Sequence, residues 1–505
     1  MRQLCSTFAI HMNLKSNFLL IAASLCLIWP ALLNGYPIIF FDTMGYLSAG
    51  NAALEWITGY DFGWNAKQIT GLGAEISTKG DGFVSSARSV FYGAALVLSD
   101  ALGGLWVALL LQAILIVVAL RFAINHILEG APLLLITCLI LGISLFTPVA
   151  FFVCYLMPDI FAGLALLSLA VVAVYHDQMG RKETLFWVVL LILSLIFHAS
   201  HLALAMVVFV AGMSITILVM GVKHASKPIL FIMLAILSAL AAQSLFSFAV
   251  EKAYGHPPLR PPFIMARTIE QTAGQAYLTQ TCPDNGFVVC QFMDRMPLTN
   301  DEFLWSRDTE TAAFSLATLE TKQALIAEQM RFFFAVWQHD PAKQFWSALK
   351  GVGTQLAQFG LLEFTYSPQR KAYVGSHLPP EMQPNFYSSQ LAQNTFPLGV
   401  ADQIVKAAVY CSLFGLVWAF WLLLCLDMPD RASAEQRRRL ILLTIIILGG
   451  LLANASITGI LSTPHDRYQA RVVWLLPLLT VLLIISVSRF GILKANLKSF
   501  KSGAP

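Results

Sequence analysis

Charged residues are scarce in this sequence. Asp, Glu, Lys and Arg together make up 12% of the 505 residues, whereas hydrophobic residues make up 57%. A soluble domain carries about 25% charged residues. The composition therefore excludes an ordinary soluble protein and indicates a chain that crosses a membrane several times, with the lipid bilayer as its surroundings.

The sequence also lacks an internal repeat, a low-complexity tract and a run of basic residues suited to a phosphodiester backbone. The formal net charge is only +4. These absences argue against a repeat protein and against a nucleic-acid partner.

Ten apolar stretches are long enough to span a bilayer, which takes roughly 20 mostly apolar residues per helix. They lie at 17–33, 102–124, 131–147, 158–175, 184–198, 201–221, 228–250, 403–426, 440–460 and 472–490. The stretches at 184–198 and 201–221 form either a tight hairpin or one broken span. The fold class predicted is an all-α polytopic membrane protein with about ten transmembrane helices.

The short loops predict the orientation, because cytoplasmic loops carry an excess of Lys and Arg. Starting with the N-terminus inside, every second loop is basic, and the tail adds three lysines. The basic positions are Arg121, Arg181, Lys182, Lys223, Lys227, Arg431, Arg437, Arg438, Arg439, Lys494, Lys498 and Lys501. The first stretch lacks a small-x-small cleavage pattern, which favours an uncleaved helix. We expect a multi-pass protein of a bacterial-type inner membrane with both termini in the cytoplasm.

Two polar segments interrupt the spans, and both fall outside in this topology. The chain divides into a transmembrane region at 1–250 with a periplasmic loop at 34–101, a periplasmic domain at 251–402 and a transmembrane region at 403–505. Within the periplasmic domain, helical patterns at 301–338 and 341–360 carry many aromatic residues. These residues form either a small core or a surface facing lipid headgroups, and they are Phe332, Phe333, Phe334, Trp337, Phe345 and Trp346.

Cys282 and Cys290 stand apart from the other cysteines, which lie in or beside apolar spans. The Asn285-Gly286 turn signal between them predicts a small disulfide-closed hairpin in an oxidising compartment. A metal site is the weaker alternative, because no further Cys or His lies nearby at ligand spacing.

Costly charges and polar groups collect on the outside, where charge near the bilayer needs a reason. Arg467 and Arg471 break the positive-inside pattern and share one helix face at i,i+4, so their guanidinium forks suit a phosphate. The remaining candidates on this side are Asp42, Arg88, Asp159, His198, His201, Arg260, Arg267 and His465.

Several of these candidates also have a structural explanation. Asp42 could cap a helix, Arg88 could anchor at the interface, and Arg467 could pair with Asp466. Asp159 could open a helix, and histidines such as His198 and His201 are often satisfied polar residues. That all of them fall on one side favours a shared site.

Three motifs carry a resemblance to a known family. Phe41-Asp42-Thr43-Met44-Gly45-Tyr46 follows the first helix, Arg88-Ser89-Val90-Phe91-Tyr92 returns to the membrane, and His465-Asp466-Arg467-Tyr468 precedes Leu476-Pro477. The combination resembles the GT-C superfamily of membrane glycosyltransferases, which take a sugar from a polyprenyl-phosphate carrier.

The resemblance implies roles for these residues. Asp42 would be the general base for an acceptor hydroxyl on a glycan, lipid or protein, and Arg467 and Arg471 would hold the donor phosphate with support from Arg88 and His465. Tyr46, Asp159, His198, His201, Arg260, Arg267 and Tyr468 would be contacts for acceptor or donor. Thr43 replaces the second acidic residue seen in some members, so a divalent metal is not indicated as a cofactor.

Two other function classes compete. A transporter or lipid flippase would place ionisable residues near the bilayer midplane and often shows inverted repeats, yet the second, third, sixth, seventh and eighth spans are almost free of charge in their centres and no repeat is found. Another lipid-linked transferase or a ligase would use similar residues.

The loop charges generate a topology prediction. Alkaline phosphatase fused after residue 300 should be active, because the enzyme folds only outside the cytoplasm, and a fusion after residue 435 should be inactive. The opposite pattern of activity would overturn the orientation.

Overall fold

The computed structural model describes residues 19–64, 84, 88–284, 286–428 and 430–502, with the backbone alone for 492–502. Arg2 and Lys15, the basic residues of the N-terminus that the orientation prediction places in the cytoplasm, lie outside the described residues, as does the turn residue Asn285. In the part described, the only β-structure is an isolated parallel bridge between Ile38 and Tyr155. The all-α fold class predicted from the sequence is confirmed.

The helices fall into three successive groups along the chain. The first group is α1 (19–27), α2 (Trp29–Asn34), α3 (Phe41–Thr58), α4 (Val90–Gly103), α5 (Leu105–Ile127), α6 (Leu133–Phe146), α7 (Val149–Cys154), α8 (Ile160–Tyr175), α9 (Arg181–Phe197), α10 (Ala199–Met220) and α11 (Val222–Tyr254). The second is α12 (Phe263–Glu270), α13 (Thr272–Thr281), α14 (Asn300–Trp305), α15 (Leu319–His339), α16 (Pro341–Ala357), α17 (Pro368–His377) and α18 (Gln383–Ser388). The third is α19 (Leu398–Cys425), α20 (Arg431–Leu461), α21 (Asp466–Val473) and α22 (Leu475–Ser502).

Within the described residues, each of the ten apolar stretches is largely helical, although 17–33 forms two short helices, α1 and α2. Seven helices of the described part of the chain are long and apolar enough to cross a membrane. The seven are Leu105–Ile127, Ile160–Gln178, Ala199–Met220, Val222–Tyr254, Leu398–Cys425, Arg431–Leu461 and Asp466–Gly491. The chain between 184 and 221 forms two helices that meet at His198, which resolves the choice between a hairpin and a broken span in favour of two helices. The protein is a multi-pass membrane protein.

Helix α8 lies at the centre of the bundle, and all of its residues are buried. It is apolar on every side, as expected of a helix surrounded by other helices. Two close contacts fix its neighbours: a Cβ on Gly163 would lie 2.5 Å from the indole nitrogen of Trp474, and one on Gly450 would lie 2.1 Å from Leu166. Because α8 begins just after Asp159, its position places that carboxylate inside the protein.

Helices α3 and α4 pack against each other through glycine. A Cβ on Gly50 would lie 2.1 Å from the carbonyl carbon of Gly93, and one on Gly93 would lie 2.0 Å from the carbonyl oxygen of Tyr46. This close approach brings the two helix starts together and sets Asp42 beside Arg88.

The segment at 251–402 divides into two parts. Helices α12 to α15 enclose a small hydrophobic core of their own, whereas the chain from Phe359 to Leu398 packs into the core of the bundle. The helical pattern at 301–338 is wrong as a single helix, since 306–318 separates α14 from α15. The pattern at 341–360 is observed as α16, and Asp340 caps it by accepting from the backbone N–H of Lys343.

The aromatic residues of this segment include both buried and exposed side chains. Phe332 is fully buried in the small core, whereas Phe345 and Trp346 on α16 are 53% and 64% exposed. Helix α16 crosses α20 where Gly351 meets Gly459, two residues from the end of that membrane-spanning helix. The exposed aromatic face therefore lies at the level of a membrane surface.

Cys282 and Cys290 are joined in a disulfide, with their Cα atoms 5.6 Å apart. Protein taken from its native membrane without reductant should therefore resist alkylation at both positions, and prior reduction should expose both thiols. Intact-mass analysis measures the difference, with Cys411 and Cys425 as cysteines alkylated in either state. Equal labelling of Cys282 and Cys290 before and after reduction would contradict the disulfide.

Candidate functional site

A large cavity opens at the end of the bundle where α3, α4, α8, α10 and α21 begin and α20 ends. Its volume is about 1260 Å³. The segment at 251–402 forms the opposite wall through residues such as Arg260, Trp305 and Arg370. Such a space between a helical bundle and a folded loop is a typical place for a ligand site.

Asp42 lies in the first turn of α3 and is 4% exposed. It does not cap the helix, because the Thr43 hydroxyl accepts from the backbone N–H of Phe40 instead. The Asp42 carboxylate forms an ion pair with Arg88 and lies 3.7 Å from Nη1 of Arg467. Two arginines that lie 46 and 425 positions from Asp42 in the sequence thus meet at its carboxylate.

Arg467 is the guanidinium with the most unused hydrogen-bonding capacity. It lies over the rings of Phe40 and Tyr468, with its central carbon 4.7 and 5.1 Å from their centroids. Its Nε and Nη1 groups are buried and, among the residues described, find no hydrogen-bond acceptor. Because an unsatisfied buried charged donor is costly, this arrangement favours an anionic ligand in the cavity.

Arg471 lines the same cavity as Arg467, as the i,i+4 spacing predicts. However, its guanidinium already contacts three polar groups: Asp159 at 3.4 Å, Asn454 at 3.2 Å and the Ser200 hydroxyl at 3.3 Å. These partners come from the start of α8, from α20 and from α10. Arg471 therefore ties α21 to the bundle and has less capacity left for a ligand.

Glu363 and His465 form a second polar cluster in the cavity, with His465 Nδ1 3.0 Å from the Glu363 carboxylate. The same carboxylate accepts from the backbone N–H groups of Asp466 and Arg467 at 3.2 and 3.4 Å. Burial disfavours the charged form, but the hydrogen bond from His465 and the charge of Arg467 outweigh it and hold the pKa of Glu363 below its usual value. Asp466 accepts from Gly360 and does not form the ion pair with Arg467 that the sequence allowed.

Three further arginines lie at the cavity rim. The sequence identified Arg260 as a candidate without a partner, and it did not identify Arg307 or Arg370. Arg370 lies over the rings of Phe40 and Phe41 at 5.5 Å, and Arg307 and Arg260 line the opposite wall. Trp305 faces Arg88 at 5.7 Å. Arg260, Arg307, Arg370 and Glu363 all lie in the segment at 251–402. A charged residue in a loop normally marks an exposed surface, so no sequence pattern identified Arg307, Arg370 or Glu363.

The structure brings most of the predicted site residues together. Those that line the cavity are Asp42, Tyr46, Arg88, Asp159, His198, Arg260, His465, Arg467, Tyr468 and Arg471. His201 and Arg267 do not line the cavity. His201 Nδ1 lies 2.9 Å from the Ser194 carbonyl oxygen. Arg267 pairs with Glu270 and donates to the Gly459 carbonyl at 3.2 Å. Both of these residues hold neighbouring helices together.

The charges of the cavity suit an anion better than a metal ion. Asp42, Asp159 and Glu363 each already have a cationic or imidazole partner. Among the described residues that line the cavity, Asp301 is the remaining acid, and one carboxylate is a poor site for a divalent cation. Guanidinium donors, by contrast, point into the cavity from several helices, and they are the groups that recognise phosphate.

No protein-family description, curated protein or solved structure matches this chain. The interpretation of the cavity therefore depends on its own geometry.

Replacing Asp159 by Asn should destabilise the protein strongly. The change leaves the Arg471 charge buried and unpaired, which costs about 3–5 kcal/mol in the free energy of unfolding. The midpoint of thermal unfolding in detergent should fall clearly.

Two further variants make this test specific. Replacing both partners by apolar residues, as Asp159→Leu with Arg471→Met, should recover part of the loss. Lys343→Ala, which removes the exposed ion pair with Asp340, should change stability by no more than about 1 kcal/mol. An unchanged midpoint for Asp159→Asn would show that the pair does not hold α21 in place.

Proposed function

We propose that this protein is a membrane glycosyltransferase that moves a sugar from a polyprenyl-phosphate carrier to an acceptor hydroxyl on the periplasmic side of the membrane. The observation that carries the proposal is the meeting of the Asp42 carboxylate and the unsatisfied Arg467 guanidinium, 3.7 Å apart, in one cavity of about 1260 Å³. A base and an anion-binding group at this distance are what transfer from a phosphate-linked sugar requires.

Asp42 serves as the general base. The acceptor oxygen forms a bond to the anomeric carbon while the bond from that carbon to the phosphate oxygen breaks. The acceptor proton passes to the Asp42 carboxylate, and the polyprenyl phosphate leaves with the bonding electron pair. The ion pair with Arg88 fixes the direction of the carboxylate, which is how a positioned base gains its effect.

Arg467 stabilises the leaving phosphate. Negative charge grows on the phosphate as the sugar departs, and fixed cations that need no reorientation lower the barrier most. The Nε and Nη1 groups of Arg467, which make no hydrogen bond within the described part of the chain, supply such donors. Arg471 supports them from behind, because its own bonds to Asp159, Asn454 and Ser200 hold α21 in place.

The apolar part of the cavity suits the lipid chain of the donor. Ala199 and Ala203 of α10 line the cavity between Phe246 of α11 and Ile457 of α20. The same face of α10 continues at helical spacing into residues exposed on the bundle surface, namely Met206, Val207 and Val210. A polyprenyl chain can therefore extend from the phosphate site along α10 into the bilayer while the sugar stays with the polar groups.

The loop segment supplies the acceptor side. Arg260, Trp305, Arg307, Arg370 and Tyr373 face Asp42 across the cavity. Aromatic and guanidinium groups together suit sugar rings and their hydroxyls. Burial raises the pKa of Tyr373 to about 12, so its hydroxyl remains a hydrogen-bond donor at any physiological pH.

A transporter would require a different distribution of charge. The polar groups that line the cavity lie at one end of the bundle, and the centres of α5, α8 and α11 carry no charged residue. Transport sites lie near the midplane instead. A ligase that moves a whole lipid-linked glycan would use the same groups, and the size of the transferred unit distinguishes it from the proposed enzyme.

Asp42→Asn should reduce sugar transfer by about 10²–10⁴-fold, because a general base contributes a factor of that size. The measurement is the incorporation of labelled sugar from polyprenyl-phosphate donors in membranes containing the protein. Asp42→Glu, which retains the carboxylate, should keep part of the rate. Asp402→Asn is the matched control, since Asp402 is a buried acid paired with Lys406 outside the cavity. Full activity of Asp42→Asn would end the assignment.

Arg467 can be tested without knowledge of the acceptor. Polyprenyl phosphate should raise the thermal unfolding midpoint of the wild-type protein, because a ligand that binds only the folded state stabilises it. Arg467→Ala should lose most of this shift, and Arg467→Lys should keep only part, since an ammonium lacks the guanidinium fork. An equal shift for wild type and Arg467→Ala would remove Arg467 from the donor site.

A further inference from the structure

Another polar cluster, separate from the cavity, lies at the opposite end of the bundle. It consists of His176 and Asp177, which follow α8, and of His224 in the first turns of α11. The sixteen residues of α8 separate it from Asp159, a length of roughly 24 Å. The cluster therefore shares no residue with the proposed transferase site.

The three side chains are arranged as ligands of one ion would be. One imidazole nitrogen from each histidine and one Asp177 oxygen all lie within 4.8 Å of one another, and the two rings have centroids 4.5 Å apart. A zinc ion holds nitrogen ligands at about 2.0–2.1 Å, so neighbouring ligands in a tetrahedron lie roughly 3.4 Å apart. Small rotations of the side chains close this difference.

The hydrogen bonds around the cluster prepare it for a cation. His224 Nε2 lies 3.1 Å from the Ala173 carbonyl oxygen, to which it can only donate, so Nδ1 of His224 carries the free lone pair. This use of the second ring nitrogen is the usual support of a metal-binding histidine. Nδ1 of His176 is buried and, among the residues described, makes no hydrogen bond. Both imidazoles thus have a nitrogen left for a ligand.

Asp177 is also held in a fixed position. Both of its oxygens accept from Arg439 of α20 at 2.7 Å, and Arg439 is itself anchored to the Val174 carbonyl at 2.7 Å. A carboxylate has about four lone-pair directions, so the two bonds from Arg439 leave one on each oxygen for a further bond. The carboxylate charge, however, is largely neutralised by the guanidinium.

This neutralisation decides which cation fits. Mg²⁺ and Ca²⁺ need several charged or carbonyl oxygens, and the cluster offers one shared carboxylate. Two neutral imidazoles with one oxygen suit the borderline ions Zn²⁺, Co²⁺ and Ni²⁺ instead. We propose that His176, His224 and Asp177 form a site for such a divalent transition-metal ion, which joins the end of α8 to the start of α11.

The proposal can be tested on the full-length protein purified in detergent through an affinity tag without histidines. After removal of metals, addition of Co²⁺ should give the visible absorption of a cobalt ion with nitrogen ligands and a stoichiometry near one ion per chain. Zn²⁺ should displace Co²⁺, and an excess of Mg²⁺ should not.

Variants assign the signal to the cluster. His176→Asn and His224→Asn should each weaken Co²⁺ binding by at least about tenfold, because loss of a ligand exceeds the cost of losing its support. His339→Ala, which changes an exposed histidine in the loop segment, should bind as wild type does. Thermal unfolding without metal checks that the variants are folded.

Three results would overturn the site. They are the absence of Co²⁺ binding in the wild-type protein, equal affinity in wild type and in folded His176→Asn and His224→Asn, and displacement of Co²⁺ by Mg²⁺ as effective as by Zn²⁺. None of these measurements involves sugar transfer, so the metal site and the proposed enzyme stand or fall separately.

Discussion

The arrangement of the polar end of this protein depends on the need to balance buried charge. A guanidinium or carboxylate removed from water is stable only with a partner of opposite charge. Asp42 meets this need by lying between Arg88 and Arg467. To bring these groups together, α3 and α4 must start side by side and α21 must begin where α20 ends. The contact of Gly50 with Gly93 allows the first of these conditions, because any larger side chain would push the helices apart.

Much of the fold follows from elementary features of the sequence. A helix in lipid must satisfy its own backbone hydrogen bonds, so each long apolar stretch predicts a helix, and all ten stretches are helical. The sequence also predicts which residues lie at the same end of the bundle. Helices alternate in direction, so Asp42, Asp159, His198 and Arg467 are predicted to lie at one end of the bundle, and the cavity lined by all four agrees with that prediction. The motifs therefore predicted a shared site mainly because of where they lie along the membrane spans.

The remaining features depend on contacts between distant segments, for which one sequence holds no signal. Glu363 reads as an ordinary loop residue, yet its carboxylate accepts backbone hydrogen bonds from Asp466 and Arg467, more than 100 positions away. Arg370 reads as a surface charge, yet it covers Phe40 and Phe41. The division of 251–402 into a separate core and a part that packs on the bundle has the same origin. Hydrophobic pattern shows that a segment is buried, but it does not show against which segment.

Arg467 and Arg471 show that helix spacing and tertiary contacts determine different properties of a site. Four residues along a helix place the two guanidinium groups on one face, and both are near the ring of Tyr468. One helical turn also changes depth by about 5.4 Å. The deeper arginine, Arg471, reaches Asp159, Asn454 and Ser200 and becomes part of the scaffold. The shallower one, Arg467, ends at the cavity with donors unused. A pair that looks equivalent in sequence is thus unequal in the structure, and the proposed phosphate contact is assigned mainly to Arg467, the arginine whose donors the scaffold leaves without partners.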